Sequence, residues 1–321
     1  MRIIVTRKLP DAVEQELVSK YGARLNADDH QFTRDELSAA MREADIVLCT
    51  LTDDLSRATI DAAAGARVRL LANFGVGFNH IDLAAARDAG IIVTNTPGVL
   101  TEDTADLTML LILAIARRAS EGERELRAGR WRGWRPTHLL GARVTGKTLG
   151  IVGFGRIGQA VASRAHHGFG MRVLYHSRHQ ADAAIEHRTG ATSVGSLEAL
   201  LHEADFVSLH CPATPETRHL INADTLREMQ RHAFLVNTSR GDVVDEAALI
   251  AALDEGVIAG AALDVHEQEP VVNQNLIARE NVVLLPHIGS ATVESRVAMG
   301  RRAIANIEAF VENRELPDRL V

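Results

Sequence analysis

Along the whole chain, short runs of β-branched and apolar residues alternate with longer, alanine-rich stretches of helical period. In the first part, Arg2–Thr6, Asp45–Thr50, Val68–Asn73 and Ile91–Thr94 read as strands. Helical spacing fills the intervals at Asp11–Tyr21, Thr33–Glu43, Ser56–Ala64 and Leu83–Ala89. The second part repeats the pattern, with strands expected at Thr148–Gly153, Met171–Tyr175, Asp205–Leu209, Ala233–Asn237, Ala259–Leu263 and Val282–Leu285. Strands alternating with helices predict an α/β fold, with parallel sheets covered by helices on both faces.

The alternation breaks once. A long helix is expected to start near Thr101, where Thr-Glu-Asp offers a capping hydroxyl and acids for the helix start, and to run to about Ala128. The stretch 129–146 follows as a loop rich in Gly and Arg and holding both tryptophans. This helix marks the change of domain. A last helix over roughly Ala291–Asn313 is long enough to cross back onto the first domain. The 321 residues exceed one ordinary domain, so two are expected.

Composition narrows the function. With 46% apolar and 24% charged residues the chain is ordinary globular material. Aromatic residues make up only 4% and the net charge is −7, which disfavours stacked bases and a nucleic-acid footprint. Cys49 and Cys211 stand far apart in apolar runs, so no disulfide framework or zinc ribbon is indicated, and a cytoplasmic setting fits. The opening MRIIVTRKLPDAV has a three-residue apolar run, too short for a signal peptide, and Leu107–Ala116 is too short to span a bilayer, so no membrane partner is expected.

Chemistry first shows at Gly153, Gly155 and Gly158, a GxGxxG directly after an apolar strand and directly before a helical run. Such glycines allow a tight turn, close approach of backbone to a pyrophosphate and close helix–strand packing, and the helix start then faces the phosphates. An NAD site wants an acid at the end of the next strand. That strand ends Tyr175-His176-Ser177-Arg178-His179, with no acid before Asp182. Ser177 and Arg178 suit a 2′-phosphate, so NADP(H) is preferred here and NAD(H) is the alternative.

Three polar residues follow strands: Arg240, Glu269 and His287. Singly, each is equally a surface charge, a turn residue or a hydrogen-bonded loop histidine. Together they supply a cation for a carboxylate and carbonyl, a charge that favours imidazolium, and a proton donor titrating near neutrality. Those are the needs of hydride transfer to a 2-keto acid. Glu267 competes with Glu269 for the acid's place.

Six ordered motifs then make the reading specific: Asn73-Phe-Gly-Val-Gly-Phe-Asn-His-Ile-Asp82, Gly153-Phe-Gly-Arg-Ile-Gly158, Leu209-His-Cys-Pro-Ala-Thr-Pro-Glu-Thr217, Asn237-Thr-Ser-Arg-Gly-Asp242, Leu263-Asp-Val-His-Glu-Gln-Glu-Pro270 and Leu285-Pro-His-Ile-Gly-Ser-Ala-Thr292. With them the chain resembles the D-isomer-specific 2-hydroxyacid dehydrogenase family over nearly its whole length, most closely the glyoxylate/hydroxypyruvate reductase branch. The resemblance implies two doubly wound parallel-sheet domains, a flavodoxin-like substrate domain (residues 1–99 with 288–321) and a Rossmann NAD(P) domain (residues 100–287), with a cleft between them. It puts the catalytic Arg, Glu and His on Arg240, Glu269 and His287, the acid being the one just before Pro270. It implies substrate contacts at Leu51, Val76, Gly77 and Arg240, the carboxylate being held by N–H groups of the Gly75-Val76-Gly77 loop. Besides the three glycines, Ser177 and Arg178, it implies cofactor contacts at Thr104, Arg156, Ile157, Cys211, Pro212, Thr217, Thr238, Asp264, His287 and Gly289. Asp106 and His266 depart from the family pattern, at places where a Glu and an aromatic residue are usual.

The expectation is therefore an NADPH-preferring enzyme that reduces glyoxylate and hydroxypyruvate to D-2-hydroxy acids. The rivals are a dehydrogenase for 2-ketogluconate, D-lactate, phosphoglycerate or phosphite, and a non-catalytic, corepressor-like NAD(P)-binding protein. No metal is expected, since His166 and His167 are adjacent and His176, His179 and His187 are only loosely grouped. By the same resemblance the long helix and its Trp131/Trp134 loop form a homodimer interface.

Overall fold

The computed structural model of the chain describes every residue except Ala64. The elements run β1 (Ile3–Val5), α1 (Asp11–Tyr21), α2 (Arg34–Glu43), β2 (Ile46–Thr50), α3 (Arg57–Ala62), β3 (Leu70–Phe74), α4 (Leu83–Asp88), β4 (Ile92–Thr94), α5 (Thr101–Ala116), α6 (Ala119–Arg127), β5 (Thr148–Val152) and α7 (Arg156–Phe169). They continue β6 (Arg172–His176), α8 (Ala183–Thr189), β7 (Ala191–Ser193), α9 (Leu197–Glu203), β8 (Phe206–Leu209), α10 (Ala223–Arg227), β9 (Phe234–Asn237), α11 (Glu246–Asp254), β10 (Gly260–Leu263), α12 (Gln274–Ile277), β11 (Val282–Leu284) and α13 (Val293–Val311). Two compact units form, Met1–Leu100 with Ser290–Val321, and Thr101–Gly289.

The first unit holds a parallel sheet in the order β1-β2-β3-β4. A parallel bridge from Ile4 to Arg24 adds a stub on the open side of β1. Counted in chain order, that stub gives 2-1-3-4-5, the flavodoxin-like arrangement. Alternate residues feed two cores. Ile3, Val5, Ile46 and Leu48 meet Val13 and Leu17 of α1 and Met299, Ala303, Ile304 and Ile307 of α13. Ile4, Val47 and Cys49 face Leu37 and Met41 of α2 and Ala85 and Ala86 of α4. Every residue of β2 and β3 is buried, as both-face coverage requires.

The second unit holds a parallel sheet ordered β11-β10-β9-β8-β5-β6-β7. Read from β5 outward this is 3-2-1-4-5-6 with one strand added, the Rossmann order. Leu149 and Ile151 pack toward α5 and α7. Gly150 faces the other way, where a Cβ would lie 2.8 Å from Leu200 Cγ of α9. No described helix is long and apolar enough to cross a membrane.

Three sequence expectations need correction or completion. The helix expected over Thr101–Ala128 is two helices, because Arg118 adopts φ 52° and Ala142 N–H takes the Ala116 carbonyl at 2.7 Å. Gly141 lets the returning loop lie against the end of α5, since a Cβ there would strike that same carbonyl. β7 was not expected: Ala191-Thr192-Ser193 has no apolar run, and pairing to Val173–Tyr175 of β6 makes it a strand. The helix expected over Ser56–Ala64 is observed as α3, and its expected last residue lies outside the described residues.

Candidate active site

In the second unit the strand order reverses between β5 and β8, and such a reversal opens a crevice at the carboxyl edge of a sheet. Gly153 stands there with φ 90°, and a Cβ on it would come within 2.6 Å of Cys211 N. α7 begins at Arg156, Ile157 and Gly158, capped by Gly155 with no side-chain bond, so its first N–H groups stay available. A Cβ on Gly158 would fall on the Gly153 carbonyl oxygen, whereas a Cβ on Gly155 would meet nothing within 4 Å. One glycine thus permits close helix–strand packing and the other leaves open space over the helix start. Those features fit a dinucleotide pyrophosphate.

Ser177 and Arg178 directly follow β6, half-buried and exposed respectively. Tyr175, two residues earlier, stacks on Phe154 at 3.9 Å and accepts the Ala181 N–H through its hydroxyl, which fixes the loop between them. Cys211, Pro212 and Thr217 follow β8. Thr217 Oγ1 donates to the Pro212 carbonyl at 2.6 Å, and burial pushes the Cys211 thiol up to about 11, so it stays protonated. Glu216 carries a carboxyl held low by Thr214 and, more weakly, by the charge of Arg178.

The chain after β10 grips the chain after β11. Asp264, 1% exposed, accepts the N–H groups of Ile288 and Gly289, both at 2.8 Å, and its own carbonyl accepts His287 N–H at 2.8 Å. Burial raises the Asp264 carboxyl, and those donors oppose the rise. Thr104 closes the cluster by donating to the Gly289 carbonyl at 3.1 Å. Glu269 Oε1 accepts the His266 N–H at 3.0 Å, and Oε2 lies 2.8 Å from His287 Nδ1. His287 itself has φ 54°, unusual for a residue with a Cβ, and is held there by these bonds.

Arg240 leaves β9 with its carbonyl held by Asn237 Nδ2 at 2.8 Å and its Nη1 on the Ser239 carbonyl at 2.6 Å. A Cβ at Gly241 would land on the His266 carbonyl group, so the Arg240–Gly241 backbone lies against the segment that carries Glu269. Burial lowers the Arg240 guanidinium, and the Glu269 charge counters this. The structure therefore brings Arg240, Glu269 and His287 to one edge. It also separates the two acids: Glu267 Oε1 pairs with His219 Nε2 at 2.7 Å instead.

Sequence reasoning left one contributor unseen and a second without a role. Thr108, one turn along α5 from Thr104, meets Thr238 at 3.0 Å between hydroxyls, and nothing in its spacing marks it. His266 was visible only as a departure from an aromatic. Its Nε2 faces the Leu285 carbonyl at 3.0 Å and so must carry the proton, which leaves Nδ1 buried without a partner. Asp106, the other departure, pairs with Arg164 at 2.6 Å.

In the first unit, Leu51 follows β2 and is half-buried. Beside it, fully buried Asp53 ties the ends of β1 and β2 through Thr6 Oγ1 at 2.5 Å and Thr50 N–H at 2.7 Å. Val76 and Gly77 lie half-exposed in the turn after β3.

The model of the D-isomer specific 2-hydroxyacid dehydrogenase NAD binding domain matches residues 109–289. The glyoxylate reductase of Thermococcus litoralis is 45% identical over 100% of this chain and 96% of its own. This chain belongs to the D-isomer specific 2-hydroxyacid dehydrogenase family. As such it is an NAD(P)-dependent oxidoreductase. The glyoxylate reductase of Aeropyrum pernix is 47% identical to this dehydrogenase over 99% of the chain and 95% of its own. Among solved structures, an NADPH-dependent glyoxylate/hydroxypyruvate reductase of Sinorhizobium meliloti, in complex with NADP and malonate, superposes with a TM-score of 0.87 at 35% identity, covering 100% of this chain and 96% of that one.

The His287 contact bears on acid stability. Burial pushes the Glu269 carboxyl upward, but the hydrogen bond and charge of His287, joined by the His266 N–H and ring, bring the net shift downward. A carboxyl lowered on folding stabilises the fold above its unfolded pKa, about 4.3, and loses that contribution as pH falls through the lower folded value. Glu269→Gln should therefore melt below wild type at neutral pH, and the two should converge as the pH falls below the unfolded value of about 4.3. A gap in melting midpoint that stays constant with pH would contradict this.

Proposed function

We propose that this dehydrogenase reduces small 2-keto acids, glyoxylate and hydroxypyruvate first, to D-2-hydroxy acids and prefers NADPH. The observation that carries the reading is the 2.8 Å contact between His287 Nδ1 and Glu269 at the edge where Arg240 also stands. In this reading residues 100–287 bind the cofactor, and residues 1–99 with 288–321 bind substrate. The cofactor, when bound, supplies the hydride for the carbonyl carbon. Gly153, Gly155, Gly158 and the first N–H groups of α7 bind its pyrophosphate, and Asp264, Thr104 and Gly289 border the nicotinamide. Arg240 binds the carboxylate and polarises the carbonyl. Glu269 keeps Nδ1 of His287 protonated and orients the ring, so Nε2 delivers the proton to the carbonyl oxygen. The Val76 and Gly77 N–H groups bind the substrate carboxylate, and Leu51 contacts the substrate.

Preference for NADPH rests on Ser177 and Arg178 and on the lack of an acid before Asp182. The NADPH-dependent relative from S. meliloti supports the same choice. A homodimer is also proposed. Leu126, Trp131, Trp134 and Leu140, on α6 and the loop after it, are between 51% and 82% exposed, and a second copy of the chain would cover them.

The deciding experiment follows NADPH and NADH absorbance with glyoxylate, hydroxypyruvate, pyruvate and 2-ketogluconate. Rapid NADPH loss with the two smallest acids is expected. His287→Gln should lower kcat by about 10²–10⁴-fold, and Arg240→Ala should impair KM and kcat while NADPH still binds. An unchanged rate in His287→Gln removes that residue from the chemistry. Replacing Ser177 and Arg178 by Ala should raise the KM for NADPH well above any rise for NADH, and equal rises would refute a phosphate clamp. Light scattering should give twice the chain mass, and a monomer would refute the dimer.

A further inference from the structure

The turn after β3 has an unusual arrangement of carbonyls. Asn73, 1% exposed at the end of that strand, donates through Nδ2 to the Gly75 carbonyl at 3.2 Å and to the Gly77 carbonyl at 2.9 Å. Asn95, 8% exposed just beyond β4, donates through Nδ2 to the Val76 carbonyl at 2.8 Å. Thr96 N–H adds a second donor to the Gly75 carbonyl at 3.0 Å. Three successive carbonyls are thus all occupied by donors from within the first unit.

Peptide geometry turns this into a statement about the N–H groups. In a planar trans peptide the C=O and the following N–H point in opposite directions. Holding the carbonyls of Gly75, Val76 and Gly77 inward therefore turns the N–H groups of Val76, Gly77 and Phe78 outward. None of the three has a hydrogen-bond partner among the described residues, and the turn there is half-exposed to exposed. Successive outward N–H groups in a turn form an anion-binding concavity. The orientation of the Asn73 amide is not interchangeable: both neighbours are carbonyl oxygens, so the NH2 must face them. Its Oδ1 is left buried without a partner. A leucine would avoid that unmet oxygen, but it would release the Gly77 carbonyl and leave the Gly75 carbonyl to Thr96 N–H alone.

We propose that Asn73 and Asn95 are the positioning residues of the anion loop, turning the Val76, Gly77 and Phe78 N–H groups outward as a preformed seat for the carboxylate of a 2-keto acid. This rests on the reading of the Val76 and Gly77 amides given above and adds a third donor, Phe78 N–H. The carboxamides themselves touch no substrate.

The test uses Asn95→Ala, which removes one clamp, and Asn73→Leu, which removes two at similar volume. Glyoxylate carries the carboxylate and methylglyoxal does not, so both are assayed with saturating NADPH, and NADPH affinity is read by fluorescence. The expected result is a rise of about tenfold or more in KM for glyoxylate, the size of a weakened bond to a charged group. The rate for methylglyoxal and the affinity for NADPH should stay near wild type in at least the Asn95 variant. A fall shared equally by both substrates, or an unchanged KM for glyoxylate, overturns the proposal. Oxalate titrated into the NADPH-loaded proteins separates this inference from the functional reading. If wild type binds oxalate yet does not reduce glyoxylate, the functional reading fails, and weaker oxalate binding in the variants still upholds the loop. Equal oxalate binding by variants and wild type overturns the loop. Wild type that neither binds oxalate nor reduces glyoxylate overturns both.

Discussion

A buried carboxylate holds the working edge of the second unit together. Asp264 stands at the end of β10 and receives two N–H groups from the segment that leaves β11, while its carbonyl takes a third from His287. Parallel strands cannot be joined by a tight turn, so β10 and β11 reach this edge from separate crossovers. Nothing in sheet pairing alone would place residue 287 against residue 269. The Asp264 bonds do so, and they hold His287 in a backbone conformation that a residue with a Cβ rarely adopts. His266 adds a further tie, from its ring to the Leu285 carbonyl. A charge so deeply buried is tolerated only while its donors stay in place, which makes the segment rigid as well as correctly placed.

Much of the fold was legible because buried parallel strands leave continuous apolar runs. β2, β5, β8 and β9 are of that kind, and their helices show clear caps such as Thr33, Asp82 and Asp245. What escaped was decided by tertiary contact. β7 is a strand because β6 offers it an edge, and Arg24 extends the first sheet by a single bridge. The break between α5 and α6 depends on a loop that returns about 25 residues later to claim the Ala116 carbonyl. No local pattern encodes such an event.

The candidate site divides the same way. Arg240, Glu269 and His287 were legible as types of residue at strand ends and through the ordered motifs, but their meeting was not. The choice between Glu267 and Glu269 shows the limit well: two acids two positions apart face different histidines, His219 and His287. The glycine loop was legible because its requirement is steric and bears on residue identity. Asn73, Asn95 and Thr108 were not, because a side chain bonding to a backbone carbonyl or to a distant hydroxyl imposes no spacing on its neighbours.

In the proposed function both units would meet negative charge by the same physical means. At α7 the donors are backbone N–H groups left over by a helix start; after β3 they are N–H groups turned outward by carbonyls held inside. Backbone donors have no rotamers to lose, so binding through them carries little ordering entropy. The selectivity of such a site then lies in what keeps the backbone in place. At α7 that is glycine packing, which a single Cβ would break. After β3 it would be a pair of carboxamides, Asn73 and Asn95, whose loss would loosen the carbonyls behind the donor array. On that reading the second arrangement is the more tunable: small changes beneath the loop would alter how tightly a carboxylate is held without altering any group that touches it.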